Sequence, residues 1–215
     1  PHPLGGSANV LVRRGAVLRI GLFGGTFDPP HAAHVALATL ALRELALDEL
    51  RWIPAGEPWQ KARTITPAAH REAMVRLAMG AEPRFVLERC EIMRRGPSYT
   101  LDTVRELQAA EPGAMWFLVI GQDQYAGLHT WRDWRELLGR VTLAVANRPG
   151  PAQAPHAEVL AFAHRAVPLP MLDIASTDIR ARVAEGRDIG SLVPDGVARY
   201  IEAHHLYQRP PRPQG

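Results

Sequence analysis

The sequence predicts an α/β fold with a mostly parallel sheet and helices on both faces. Three observations lead there. Strand-like segments alternate with segments of helical apolar spacing from early in the chain. Residues 115–120, Met-Trp-Phe-Leu-Val-Ile, form a continuous apolar run, as a parallel strand buried on both faces requires. The first strand runs into Gly24-Gly25 and then into a helix, the junction of a strand–helix unit. Residues 18–23 are that first strand, and Asp28-Pro29-Pro30 breaks the chain after it. Val35, Ala38, Leu42 and Leu45 recur at helical spacing within residues 31–47. Residues 50–53 read as a strand closed by Pro54. Residues 67–79 read as a helix, with Thr66 as N-cap and Pro67 in the first helical position. Residues 84–88 are a third strand, 100–110 a helix, 115–120 the central strand and 141–146 another strand. Residues 151–165 carry no clear pattern, and 176–185 and 194–204 read as helices.

Of the 215 residues, 47% are hydrophobic and 22% charged, which excludes wholesale disorder. Residues 19–207 are expected to form a single domain, between an N-terminal extension, 1–18, and a frayed tail, 208–215, holding three prolines. Arg13-Arg14 precede a short apolar stretch, but Arg19 interrupts it and no A-x-A site follows, so no export signal is read there. A net charge of +3 gives no reason to expect a nucleic-acid partner. No apolar run approaches the roughly 20 residues that span a bilayer, so no membrane partner is expected. Cys90 is the only cysteine. One thiol forms neither an intramolecular disulfide nor a cysteine zinc site, and a reducing cytoplasmic location fits. Lys61 is the only lysine among 25 basic residues; coding bias is the simplest reason for the arginine excess.

The string Gly24-Gly25-Thr26-Phe27-Asp28-Pro29-Pro30-His31-Ala32-Ala33-His34 carries the most chemistry. Two glycines let the chain turn sharply and let a ligand approach the backbone. The helix that follows presents unpaired N–H groups and partial positive charge, an anion site. His31 and His34 sit three apart and project from one side of its first turn. It is neither a Walker loop nor the G-x-G-x-x-G fingerprint. On these residues alone, a tight turn bearing two surface histidines remains an alternative. Zinc lacks a third ligand and the H-E-x-x-H pattern.

Gly24-Gly25-Thr26-Phe27-Asp28-Pro29 with His31-x-x-His34 resembles the signature of the HxGH nucleotidyltransferases. The resemblance implies a Rossmann-like, doubly wound parallel sheet with flanking helices. It also implies transfer of a nucleotidyl group from a nucleoside triphosphate to a phosphorylated acceptor, with release of pyrophosphate. Ala33 stands where that family usually has glycine. Ile174-Ala175-Ser176-Thr177-Asp178-Ile179-Arg180 resembles the family's second motif, I-S-S-T-x-I-R, with Ala175 replacing the first serine. Bottom-up, Ser176 or Thr177 suits a helix cap, and Arg180 a phosphate-binding fork. The resemblance makes His31, His34 and Arg180 the catalytic set. It assigns ATP to Gly24, Gly25, Thr26, Phe27, His31, His34, Asp123, Ser176, Thr177 and Arg180, with Asp123 at ribose hydroxyls. Mg²⁺ is implied on the triphosphate, held mainly by phosphate oxygens and water, with no metal ligand from the protein.

The middle of the chain bears on the acceptor. Pro97-Ser98-Tyr99-Thr100-Leu101-Asp102-Thr103, Gly121-Gln122-Asp123 and Trp131-Arg132-Asp133-Trp134 resemble segments of bacterial nicotinate-nucleotide adenylyltransferases. That resemblance implies ATP and nicotinate mononucleotide as the partners. Trp131 would stack on the pyridine, the amides of Thr100 and Arg132 would meet its carboxylate, and Ser98 and Tyr99 would line the same site. Trp134 is better read as core. Lys61 would reach phosphate from the loop after the second strand, assisted by Arg71; a solvated charge is the alternative for both. Nicotinamide mononucleotide or another phosphorylated acceptor remains an alternative, as does a non-catalytic nucleotide-binding module. The sequence leaves the oligomeric state open, an oligomer included.

Overall fold

A computed structural model describes residues 16–56, 63–147, 153–168 and 172–214. Their elements in chain order are β1 (Arg19–Gly25), α1 (Ala32–Glu44), β2 (Glu49–Pro54), α2 (Ala68–Met79), β3 (Phe85–Leu87), α3 (Cys90–Met93), α4 (Thr100–Ala110), β4 (Met115–Gly121), α5 (Gln122–Ala126), α6 (Trp134–Arg140), β5 (Thr142–Asn147), α7 (Ala157–Leu160), β6 (His164–Pro168), α8 (Ser176–Ala184) and α9 (Asp195–Ala203). A 3-10 turn, Leu128–Thr130, joins α5 to the Trp131 segment.

All six strands pair in parallel in the order β3-β2-β1-β4-β5-β6. The chain walks outward from β1 to β3, returns to place β4 beside β1, and walks outward the other way. That reversal opens a crevice beyond the carboxyl ends of β1 and β4, where α/β sheets bind ligands.

Strand alternation divides the core into two layers. Ile20, Leu22, Leu118, Ile120, Leu143 and Val145 face Leu101 and Val104 of α4 and Leu137 of α6. Phe23, Trp52, Phe117, Val119 and Ala144 face Leu37, Ala41 and Leu42 of α1 and Val75 of α2. A Cβ on Gly21 would lie 2.6 Å from side-chain carbons of Leu47 and Leu50, so glycine there lets this layer close on β1. A third cluster packs α2 against α8 and α9 through Met74, Ala78, Ile179, Val197 and Ile201. It anchors the C-terminal helices beside the first turn.

Two expected caps are corrected. Pro67, not Thr66, is the N-cap of α2, and no side chain caps it; Thr66 lies one residue before the cap, with its N–H donating to Asp28 (3.1 Å). Ala175, not Ser176 or Thr177, is the N-cap of α8. Within residues 151–165, α7 and the start of β6 lie in the described part. No helix among the described residues is long and apolar enough to cross a membrane.

Candidate active site

The first turn sits at the head of β1. Gly24, Gly25 and Thr26 line a cavity of about 230 Å³ between the ends of β1 and β4. A Cβ on Gly25 would press on the Phe27 ring at 3.1 Å. Phe27 is in the left-handed region (φ 53°), a conformation that costs a bulky residue energy. Packing offsets that cost: the buried ring lies edge-on to Phe23 at 5.5 Å and to His34 at 5.0 Å. Phe27 therefore supports the turn from beneath.

His31 is the N-cap of α1, and its N–H donates to His34 Nδ1 (3.0 Å). The capping bond makes Nδ1 an acceptor, so a neutral His34 carries its proton on Nε2. The two rings stack with centroids 3.7 Å apart. Burial, and then the neighbouring His31, hold the His34 pKa well below its ordinary value. The unfolded ring titrates near 6.5, so below that pH the unfolded chain binds more protons. Stability from this ring is therefore complete above about 6.5 and declines as the pH falls below it. In an NMR titration the His34 ring is expected to stay in its neutral form through pH 6.5. A protonation step at that pH would show a solvated ring.

Asp28 organises the rest of the turn. Its side chain is 1% exposed, and its carboxylate accepts from Arg63 Nη1 (2.8 Å), the Thr66 N–H and the Tyr207 hydroxyl. Its pKa is lowered: burial alone would raise it, and the donors from Arg63, Thr66 and Tyr207 overcome that. Its backbone oxygen accepts from Arg180 Nη1 (2.8 Å). Ser176 Oγ donates to the Pro29 oxygen (2.9 Å), and the Ala32 N–H donates to the Leu192 oxygen. These bonds bring the N-termini of α1 and α8 together, so the two sequence motifs share one place. Thr177 accepts from Arg180 Nη2 (3.3 Å).

Across the crevice, Ser98, Tyr99, Thr100, Trp131 and Arg132 enclose a second cavity of about 160 Å³. Thr100 and Trp131 line both cavities, so the two cavities share these residues as a common border. The Arg132 guanidinium lies 4.6 Å over the Tyr99 ring, and Ser98 Oγ accepts from Arg94 (2.8 Å). Trp134 is buried in the core. Asp123 does not line the first cavity; its neighbour Gln124 does, and Asp123 is exposed. Lys61 lies outside the described residues.

The sequence profile of the family described as Cytidylyltransferase-like matches residues 22–182. A protein of Methylibium petroleiphilum named "Probable nicotinate-nucleotide adenylyltransferase" is 58% identical over 200 residues, covering 90% of this chain and 94% of that protein. One from Bordetella pertussis, of the same name, is 44% identical over 198 residues, covering 89% and 99%. The chain belongs to the cytidylyltransferase-like family, among its nicotinate-nucleotide adenylyltransferases. The Plasmodium falciparum nicotinic acid mononucleotide adenylyltransferase complexed with NaAD shares the fold, with a TM-score of 0.72 at 18% identity over 88% of this chain and 97% of that one.

In this nucleotidyltransferase, four site-forming residues escape sequence reading as members of the site. Asp28, Arg63 and Tyr207 meet only through the fold. Glu91 lines the first cavity, and its pKa is raised by burial, against the Thr103 hydroxyl it accepts from (2.9 Å). Its chain position gave no signal. Arg71 corrects an expectation. It is 0% exposed and donates to the carbonyls of Thr66, Thr26, Ala55 and Gly56 at 2.7–3.2 Å. It is a brace beneath the loops, not a phosphate-reaching side chain, because the carbonyl cage surrounds its guanidinium.

Proposed function

We propose that residues 19–207 act as one nucleotidyltransferase domain that moves AMP from ATP to nicotinate mononucleotide, releasing nicotinate adenine dinucleotide and pyrophosphate. The observation that carries this reading is the two-part crevice. The glycine turn lines one cavity and Tyr99 and Arg132 line the other, with Thr100 and Trp131 common to both, and the second motif is tied to that turn through Arg180. The first part suits a triphosphate and the second a flat pyridine bearing a carboxylate.

An acceptor phosphate oxygen attacks the α-phosphorus of ATP as the bond from that phosphorus to the α,β-bridging oxygen breaks. The electron pair leaves with pyrophosphate, and no covalent protein intermediate forms. Gly24, Gly25 and Thr26 let the nucleotide lie against the backbone. His31, His34 through Nε2–H, and Arg180 donate to phosphate oxygens as charge builds, with Ser176 and Thr177 holding the start of α8 in place. Trp131 stacks on the pyridine, and the N–H groups of Thr100 and Arg132 meet its carboxylate. The Asp28 oxygens are already engaged by donors, which fits a Mg²⁺ ion carried on the triphosphate rather than on this carboxylate. When bound, that ion screens phosphate charge. A cytoplasmic setting, where ATP is available, belongs to the same proposal.

The test is pyrophosphate release from ATP and Mg²⁺ with nicotinate mononucleotide as acceptor. Turnover is expected, and its absence at millimolar substrates would sink the enzymatic reading. Substituting nicotinamide mononucleotide is expected to slow turnover; equal rates would remove the carboxylate from the argument. Trp131→Ala is expected to raise KM for the acceptor about tenfold, the size of a lost aromatic stack, while KM for ATP changes little.

A further inference from the structure

Two guanidinium groups converge on Asp28 from different parts of the chain. Arg63 donates through Nη1 to the carboxylate, and Arg180 through Nη1 to the backbone oxygen. Each lies close enough to matter to the other: after burial, the Arg63 charge is the next cause lowering the Arg180 pKa. Among the described residues, Asp28 is the one carboxylate in an ion pair with Arg63, and none pairs with Arg180. Two cations therefore share one anion, and that anion is itself buried and saturated by donors. Two guanidinium charges thus stand around one engaged carboxylate, with the Arg63 side chain partly exposed, an arrangement that favours a further anion.

The Arg63 side chain is 35% exposed. Its Nη1 serves Asp28 and, at 3.4 Å, the Thr64 oxygen, while Nε and Nη2 have no protein acceptor among the described residues. The base of the segment is fixed, since the Thr66 N–H donates to Asp28 and the Thr66 oxygen accepts from buried Arg71 (2.8 Å). One edge of a planar fork is thus clamped and the other is left open, a geometry suited to phosphate oxygens.

We propose that Arg63 is a second triphosphate-binding arginine, acting with Arg180 on the phosphates that leave as pyrophosphate. The proposal rests on the functional reading above and adds a residue to it. Asp28, held by Tyr207, sets the angle of the Arg63 fork. Tyr207 is a positioning residue that touches no phosphate.

Inorganic pyrophosphate is the probe, with its Kd measured by calorimetry on the full chain. Arg63→Gln is expected to weaken pyrophosphate binding about tenfold, the loss of one charge-assisted contact, with the melting temperature followed in parallel. Arg63→Lys is expected to recover part of the affinity, because it restores charge but not the fork, and it stands as the second variant should Arg63→Gln fold poorly. Tyr207→Phe, which removes one of the donors that hold Asp28, is expected to weaken binding by less than Arg63→Gln, about threefold, because Arg63 and the Thr66 N–H still hold the carboxylate. Unchanged binding in Arg63→Gln would overturn the proposal while leaving the functional reading in place. Equal losses in Arg63→Gln and Tyr207→Phe would overturn it too, by showing that Arg63 only steadies Asp28. No pyrophosphate binding by the unaltered protein would overturn the reading of the site, and this proposal with it.

Discussion

His34→Ala and Arg180→Ala are each expected to lower kcat at least tenfold, and about 100-fold if the donor acts wholly in the transition state. One donor aimed at a developing anion is worth about 2.7–4 kcal/mol. His34 is suited to that task because burial and the neighbouring His31 keep it neutral, and its capping bond leaves the proton on Nε2. It donates without being charged beforehand, and its stack on His31 and edge contact with Phe27 prevent the ring from swinging away. Arg180 is less enclosed, so its loss belongs at the lower end of the range. Its removal also strips a donor from the Asp28 oxygen, and some of the effect will reach KM for ATP. The double variant is expected to lose less than the sum of the two, because both act on one charge distribution. Steady-state pyrophosphate release measures all three. Near-normal turnover in both single variants would show that the chemistry lies elsewhere.

The second large effect concerns stability. Arg71→Leu is expected to cost about 3–5 kcal/mol and to lower the melting temperature by roughly 10 °C. The side chain is fully buried, and its bonds join four carbonyls from the first turn, from the end of β2 and from the approach to α2. Leucine fills part of the space but leaves those oxygens without a donor, and each buried orphan acceptor costs about 1–3 kcal/mol. Some will recover water as the loops loosen, which is why the costs do not simply add. A thermal melt followed by circular dichroism is the measurement. A change under about 2 °C would show that the loops hold their shape without the brace. Because Thr26 is one of the braced residues, KM for ATP is expected to rise in the same variant.

Much of the fold was legible because burial writes period into sequence. β1, β2, β4 and β5 are buried strands with apolar runs, and α4 coincides with its expected bounds because its apolar face is regular. β6 was not legible. It is an edge strand in which Val167 alone is buried, so it shows neither an apolar run nor alternation. The four-residue helices α3 and α7 are too short to show a period. The caps were misread for a different reason: Thr66 and Ser176 are good capping residues, but each helix starts one residue away from the expected cap, and the Ser176 hydroxyl bonds the Pro29 oxygen, a partner that only distant geometry makes available.

The site divides along the same line. The local chemistry of the first turn was readable, because two glycines, two histidines and a helix start lie within one stretch of chain. Tyr99, Thr100, Trp131 and Arg132, singled out from separate segments of the sequence, line one cavity in the fold. The sequence by itself determined the alternating α/β layout and the residue types available for phosphate and pyridine. Only the tertiary structure decided which charges are structural and which are open to a ligand. Arg71, Arg63 and Arg180 are the same residue type and look alike in a string of letters. One is caged by carbonyls, one is clamped on a single edge, and one spans two motifs. The difference is set by desolvation and by hydrogen-bond partners as far apart in the chain as Asp28 and Tyr207, and such partners exist only once the sheet has brought them together.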